Sequence, residues 1–371
     1  MKITVSSTAL NEQLQIAGKV LQKKNPMPIL ECFLIEAKDN VMKITASNSE
    51  ICLITHVPLI EQESEGCMCL HAEKLLSTIK EIPEQPLSME YNENTFELKC
   101  KHSCGEFKIV GNDANLYPRP LPVSEGMKVE MSSRELVAAV STCSVATIDD
   151  DIQHFKKGVY FDIQQDKPLI IVATDGRKLV RKISAGTKPE ITGHVLLPKS
   201  IVGILKSVVK KDCTAEIAFD EHRATITIGD SIIYFRQIDG KYPNYNAVIP
   251  AQNSITVVAE RLALIGALKR VGVFCNQSSN LVKLELSQNQ VTLTGSDSGN
   301  STSAEEYVQC EYDGAYFSIG FGYTFLVEIL NTIETENVSL EFADPGRPCI
   351  VKPVGDDNSL LMLLMPMRIE S

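Results

Sequence analysis

The residues best able to do chemistry in this chain are cysteines, histidines and one acidic run. Cys67, Cys69 and His71 alternate along one extended stretch, and Cys100, His102 and Cys104 alternate along another. Alternation puts each trio on one face of a strand, so a zinc site is geometrically conceivable. The spacings are not those of a zinc knuckle or ribbon, and buried structural thiols are the better reading. Asp149-Asp150-Asp151 could hold a metal, but three consecutive carboxylates without further ligands read as an exposed loop. There is no glycine-rich phosphate loop, no Gly-x-Ser-x-Gly elbow and no His-Glu-x-x-His motif. The sequence therefore leads us to expect no catalytic residue, no metal and no cofactor. An enzyme is the weakest reading.

The elements that would have to position any site come in three copies. Met1-Lys2-Ile3-Thr4-Val5-Ser6-Ser7-Thr8-Ala9-Leu10 opens the chain, Met127-Lys128-Val129-Glu130-Met131-Ser132-Ser133-Arg134-Glu135-Leu136 opens the middle third, and Asn253-Ser254-Ile255-Thr256-Val257-Val258-Ala259-Glu260-Arg261-Leu262 opens the last. From Met1 to Met127 to Asn253 the step is 126 residues both times. Each copy reads as an alternating strand, a short break and an amphipathic helix. A fixed long period is the signature of one domain written three times. We expect domains at 1–124, 125–251 and 252–371, each with two helices and six to eight strands, with the helices packed on one side of antiparallel sheets. That makes the class α+β.

Particular spans follow. Leu10, Leu14, Ala17 and Leu21 predict a first helix, and Ala72 to Ile82 a second. Strands are expected at Ile29 to Glu36, Val41 to Ala46, Ile51 to Val57, Leu87 to Tyr91, Phe96 to Cys100 and Glu106 to Val110. In the middle copy a helix begins at Leu197-Pro198-Lys199, with proline in its first turn. Helices near Arg261 to Val271 and Tyr323 to Thr332 belong to the last copy. Leu116-Tyr117-Pro118-Arg119-Pro120-Leu121-Pro122 and Lys241-Tyr242-Pro243-Asn244-Tyr245-Asn246-Ala247-Val248-Ile249-Pro250 read as rigid linkers.

The chain has 371 residues, 44% of them hydrophobic, and a net charge of −11. No apolar run reaches ~18 residues, so no membrane span is expected. The start lacks a basic segment followed by an apolar one, so no secretory signal is expected. Eleven cysteines, an odd number scattered over all three copies, suit reduced thiols in a cytoplasmic protein. Net acidity alone argues against nucleic acid, but the charge is uneven. Lys199, Lys206, Lys210 and Lys211 follow one another without an acid up to Asp212, and Arg261, Lys269 and Arg270 share one helix. Lys19, Lys23 and Lys24 outnumber Glu12. A solvated helix face is the bland reading. Repetition of basic helices against an acidic remainder instead points to one positive surface that meets phosphates without reading bases.

Four landmarks on this triplicate frame carry a resemblance. They are Pro28-Ile29-Leu30, then Ala173-Thr174-Asp175-Gly176-Arg177-Lys178-Leu179, then Tyr242-Pro243-Asn244-Tyr245 with Val248-Ile249-Pro250, and finally Met365-Pro366-Met367-Arg368-Ile369. In order and spacing over the whole chain, these resemble the bacterial DNA polymerase III beta subunits, the sliding-clamp family.

The resemblance implies three DNA-clamp domains per chain and a head-to-tail homodimer, hence a six-domain ring around duplex DNA. It implies a non-catalytic processivity factor in DNA replication. Its partners would be the DNA polymerase III alpha subunit, the clamp loader and other proteins carrying a clamp-binding motif. It also implies an apolar cleft for their extended Leu/Phe peptides. Matched by motif, that cleft is Thr174, Gly176, Arg177, Leu179, Pro243, Val248, Met365, Pro366, Met367 and Arg368. Lys24, Lys199, Lys206, Lys210, Lys269 and Arg270 would face DNA. Val273 and Phe274, opposite the strand holding Phe107, would close the dimer. Arg177-Lys178 stands where the family usually has His-Arg, Ala247 where it often has a basic residue, and the stretch from Asp151 to Lys157 borders the cleft unusually. A monomeric peptide-binding scaffold is the alternative from a different class.

Overall fold

The computed structural model describes every residue except 23, 24, 121, 122, 124, 125, 151, 357, 370 and 371. Six α-helices occur among the described residues: α1 (Ser7–Gly18), α2 (Ala72–Ile79), α3 (Ser133–Ser144), α4 (Ile201–Val208), α5 (Arg261–Gly272) and α6 (Tyr323–Asn331). Nine, eight and eight strands accompany them in the three repeats, and every ladder is antiparallel. The class is α+β, as the periodicity indicated.

The chain gathers into two compact units, 1–137 with 200–237 and 138–199 with 238–371. In the first unit, a five-stranded sheet runs in the order Glu61–Ser64, Lys2–Ser6, Pro86–Asn92, Glu97–His102, Gly105–Val110. An eight-stranded sheet joins two repeats, because Ser231–Arg236 of the second pairs with Ile51–Pro58 of the first. The second unit is built on one twelve-stranded sheet, in which Lys178–Ser184 of the second repeat pairs with Leu360–Leu364 of the third.

Each repeat opens alike. A strand with alternating burial feeds directly into a helix whose start is pinned to a distant loop. The N–H of Ser7 donates to the Gln85 carbonyl (3.0 Å), that of Ser133 to Cys213 (2.8 Å) and that of Arg261 to Glu336 (2.8 Å). These are among the N–H groups that a helix cannot satisfy internally. In the first two repeats the preceding serine also caps, Ser6 Oγ accepting from Ala9 N (3.2 Å) and Ser132 Oγ from Glu135 N (3.3 Å). Leu10 and Leu14, both fully buried, then face the core, and α1 packs on α2 and on the strands Val41–Ser47 and Ile51–Pro58.

Several expectations are corrected. Helix starts at residues 7, 133 and 261 make the second step 128 residues rather than 126, since the third opening strand sits two residues later. Helix α1 stops at Gly18; Leu21 follows in tightening turns, Leu21 N donating to the Gly18 carbonyl at 3.2 Å. Pro28–Glu31 is one turn of 3-10 helix before the strand Cys32–Lys38, because proline supplies no ladder N–H there. Pro198 does not open a helix. It ends the buried strand Gly193–Pro198, opposite Gly158, and α4 begins at Ile201. In the first two repeats four strands escaped the pattern: Glu61–Ser64, Lys178–Ser184, Gly193–Pro198 and Ser231–Arg236.

Ser132→Ala should lower unfolding free energy by about 1 kcal/mol, the usual worth of a helix cap. Equilibrium denaturation of parent and variant measures it, and an unchanged midpoint would mean that the cap contributes nothing.

Candidate functional site

A cleft in the second unit is organised by the hairpin joining Leu169–Thr174 to Lys178–Ser184. Its tip is tightly specified. Thr174 Oγ1 donates to the Lys178 carbonyl (2.9 Å) and accepts from Gly176 N (3.1 Å). The Asp175 carboxylate accepts from the N–H groups of Arg177 and Lys178, both at 2.8 Å. Gly176 has φ +88°, a left-handed conformation that side chains resist.

Lys178 turns inward and is 5% exposed. Its ammonium bonds to the Glu328 carboxylate on α6, lies 4.0 Å from Asp175 and sits 5.1 Å from the Phe325 ring centroid. A buried ammonium needs such company, because desolvation without pairing is costly. Arg177 points out, its guanidinium 5.8 Å from the centroid of the same ring.

Two further walls face the hairpin. Tyr242 is buried, stacked on Tyr160 (4.3 Å between centroids, 7° between planes) and met edge-on by Phe155 at 5.7 Å. This aromatic block fixes Pro243 and Asn244, and Tyr245 is anchored by its hydroxyl donating to Asp162 at 2.6 Å. Burial, and then Asp162, push the Tyr245 hydroxyl well above its ordinary pKa, so it stays a donor. The other wall is the strand Leu360–Leu364, where Leu363 lies directly opposite Leu179 and is followed by Met365. The enclosed volume is about 230 Å³. It has an apolar floor and a polar, partly cationic lip, suited to holding short apolar side chains of an extended segment rather than to reacting with them.

Of the ten residues matched by motif, Thr174, Gly176, Arg177, Leu179, Pro243, Val248 and Met365 line this cleft. Pro366, Met367 and Arg368 do not. The strand ends at Leu364, and Met367 instead makes a single bridge to Gly320, its N–H donating to that carbonyl at 2.8 Å. Met365, Met367 and Ile369 therefore do not share one face of a continuous last strand, since Pro366 interrupts the ladder. Phe155, Lys156, Lys178, Tyr245 and Leu363 also line the cleft. Phe155 and Lys156 belong to the bordering stretch that already stood out in the sequence, and Tyr245 to the Tyr-Pro-Asn-Tyr landmark.

The basic residues fare unevenly. Lys24 lies outside the described residues. Lys199, Lys206 and Lys269 are exposed. Lys210 is paired with Glu12 at 2.6 Å, and Arg270 grips Glu306 through two nitrogens at 2.7 and 2.8 Å. Phe107 is half-buried on the edge strand Gly105–Val110, while Val273 and Phe274, just past α5, are 78% and 41% exposed.

Among the described residues no group of three or more His, Cys, Asp and Glu converges on a possible metal position, and Asp151 is outside them. Cys69 is buried and Cys67 half-buried, in a cluster with Cys32 and Tyr117. A hydrogen bond from the Cys69 thiol lowers the Cys32 pKa below that of an ordinary thiol. The other trio separates, Cys100 buried and Cys104 exposed.

Three family models match end to end: the N-terminal domain of the DNA polymerase III beta subunit over residues 1–122, its central domain over 130–244 and its C-terminal domain over 246–368. The chain belongs to the DNA polymerase III beta subunit family. Members of this sliding-clamp family are non-catalytic processivity subunits. A beta sliding clamp of Pseudomonas aeruginosa is 25% identical over 371 residues, covering the whole of both chains. The solved beta subunit of Thermotoga maritima is 26% identical, with a TM-score of 0.91 and both chains covered completely. A solved clamp from Pseudomonas aeruginosa reaches a TM-score of 0.94 at 24% identity, again over the whole of both chains. No helix among the described residues is long and apolar enough to cross a membrane.

Gly176→Ala should destabilise the protein by about 1–2 kcal/mol, the cost of a β-carbon in the left-handed region. Thermal unfolding of parent and variant checks this, and equal midpoints would show that the tip relaxes freely.

Proposed function

We propose that two copies close head to tail into a six-domain ring around duplex DNA, with domains at 1–124, 125–251 and 252–371. The cleft beside the hairpin then tethers the polymerase and other partners by their extended Leu/Phe peptides. A tether of this kind acts by raising effective concentration at the primer end, which needs no reaction chemistry.

The observation that carries the ring is a pair of unfinished sheet edges. Gly105–Val110 terminates the five-stranded sheet, with one side unpaired among the described residues. In the strand Thr302–Glu311, only Cys310 and Glu311 pair with Ile255–Glu260, so among the described residues 302–309 have a neighbour on one side only. Long unpaired edges invite another chain. Val273 and Phe274 lie exposed, and Thr302 Oγ1 donates to the Phe274 carbonyl at 3.5 Å. An edge from each end of the chain fits a head-to-tail closure in which Phe107 meets Val273 and Phe274.

DNA contact in this reading is electrostatic and blind to sequence, through Lys24, Lys199, Lys206, Lys210, Lys269 and Arg270. The ring would hold DNA by topology, so weak contacts suffice.

Loaded onto nicked circular DNA, the parent should stay bound through gel filtration, and linearising the same DNA should release it. Val273→Ala with Phe274→Ala should shift the protein towards monomer in sedimentation and abolish retention, since two apolar anchors vanish. Equal retention on both DNA forms, or an unchanged dimer, would refute the ring or this junction respectively.

The cleft is tested separately. Titrating a fluorescent Gln-Leu-x-Leu-Phe-type peptide should show Leu179→Ala and Met365→Ala each binding about tenfold more weakly than parent, as expected for a lost apolar anchor. Unaltered affinity in both would move the partner site elsewhere.

A further inference from the structure

Among the described residues the cleft lining contains three cations, Lys156, Arg177 and Lys178, and no carboxylate. In a chain of net charge −11, that local excess needs an account. Lys178 is committed inward to Glu328 and Asp175. Lys156 is 17% exposed, and its ammonium lies 3.4 Å from Asp150. That carboxylate is already served by the N–H groups of Ile152 (2.8 Å) and Gln153 (3.0 Å), which also hold its pKa below the usual carboxylate range. Arg177 has no carboxylate partner among the described residues. Its contact with Phe325 consumes none of its five N–H donors.

Lys156 and Arg177 meet the same hairpin tip. A β-carbon built on Gly176 would lie 3.5 Å from the Lys156 ammonium, so that ammonium rests against the bare glycine next to Arg177. Both heads therefore sit at the hairpin tip, on the rim of an apolar floor made by Leu179, Val248, Leu363 and Met365.

We infer that this cleft prefers peptides whose apolar anchors are flanked by acidic residues, with Lys156 and Arg177 receiving a flanking carboxylate at the rim. The inference rests on the cleft being the partner site proposed above. A guanidinium and an ammonium on one rim offer charge-assisted, directional hydrogen bonds to a carboxylate. A long-range effect would act the other way, because a protein of net charge −11 repels an anionic peptide. Any acidic preference must therefore arise locally.

The test compares two fluorescent peptides with the same Gln-Leu-Ser-Leu-Phe anchors. One has aspartate on both flanks and the other asparagine. The full-length parent should bind the aspartate peptide about five- to tenfold more tightly, as partly shielded charge pairs do, with the ratio shrinking as salt rises from about 50 to about 500 mM. Arg177→Gln with Lys156→Gln should bring the ratio close to one. Using the ratio cancels any general loss of binding in the variant. Equal affinities in the parent would overturn the preference and leave the cleft reading standing, and a ratio that persists in the double variant would overturn the assignment to Lys156 and Arg177. Binding of neither peptide by the parent would overturn the cleft reading and the preference with it.

Discussion

Everything in each repeat depends on one hydrogen bond, from the first helical N–H to a carbonyl of the loop that precedes a later strand. Ser7 to Gln85, Ser133 to Cys213 and Arg261 to Glu336 are the same link made three times. Each ties the end of an opening strand to the start of a strand laid beside it, Lys2–Ser6 with Pro86–Asn92, Met127–Ser132 with Thr214–Phe219, and Ile255–Glu260 with Asn337–Phe342. The helix therefore leaves its strand at a set point and must lie back across the sheet. Side chains reinforce the link differently. Ser7 Oγ accepts from Gln85 N (3.0 Å), Ser133 Oγ from Cys213 N (3.1 Å), and Arg261 Nε donates to the Thr335 carbonyl (2.9 Å). A serine and an arginine serve one geometric role because the backbone bond, not the side chain, is what repeats.

The cleft inherits its rigidity from this frame. Lys178–Ser184 is held on one side by its hairpin partner and on the other by Leu360–Leu364, so Leu179 and Leu363 cannot drift apart. A buried Lys178 then locks α6 to the hairpin tip through Glu328. Replacing it by an apolar residue would leave Glu328 without that partner and free the tip. A rigid rim matters for a partner site, since ordering costs are met before the peptide arrives.

The triplicate plan was legible in the sequence because strand and helix periods differ and each repeat opens with both. The polar strand Glu61–Ser64 was not, because an exposed edge next to Lys2–Ser6 needs no apolar alternation. Pro198 misled because proline suits both a helix's first turn and a strand's end, and four buried residues in succession chose the strand. The cleft was legible where motifs met the floor, at Thr174, Leu179, Pro243 and Val248. It failed at Met367 and Arg368, which the motif match put in the cleft but which lie beyond Pro366, where the ladder breaks. Lys178 was missed as a lining residue because nothing in sequence reveals that a lysine turns inward. Its partner Glu328 is 150 residues away.

Charge is the last property that composition conceals. Two of the basic residues expected to meet DNA, Lys210 and Arg270, are held by carboxylates from other elements, Glu12 and Glu306. Both pairs are exposed, and exposed pairs are weak, so a phosphate can take over either cation at little cost. Exchange of partners makes each contact weaker than a free lysine would give and shortens its lifetime. In the proposed ring that is an advantage, because topology already prevents dissociation and tight phosphate contacts would only slow sliding. The cleft obeys the opposite logic. There Arg177 is left without a carboxylate partner among the described residues, which in the proposed peptide cleft leaves it free to meet a partner's.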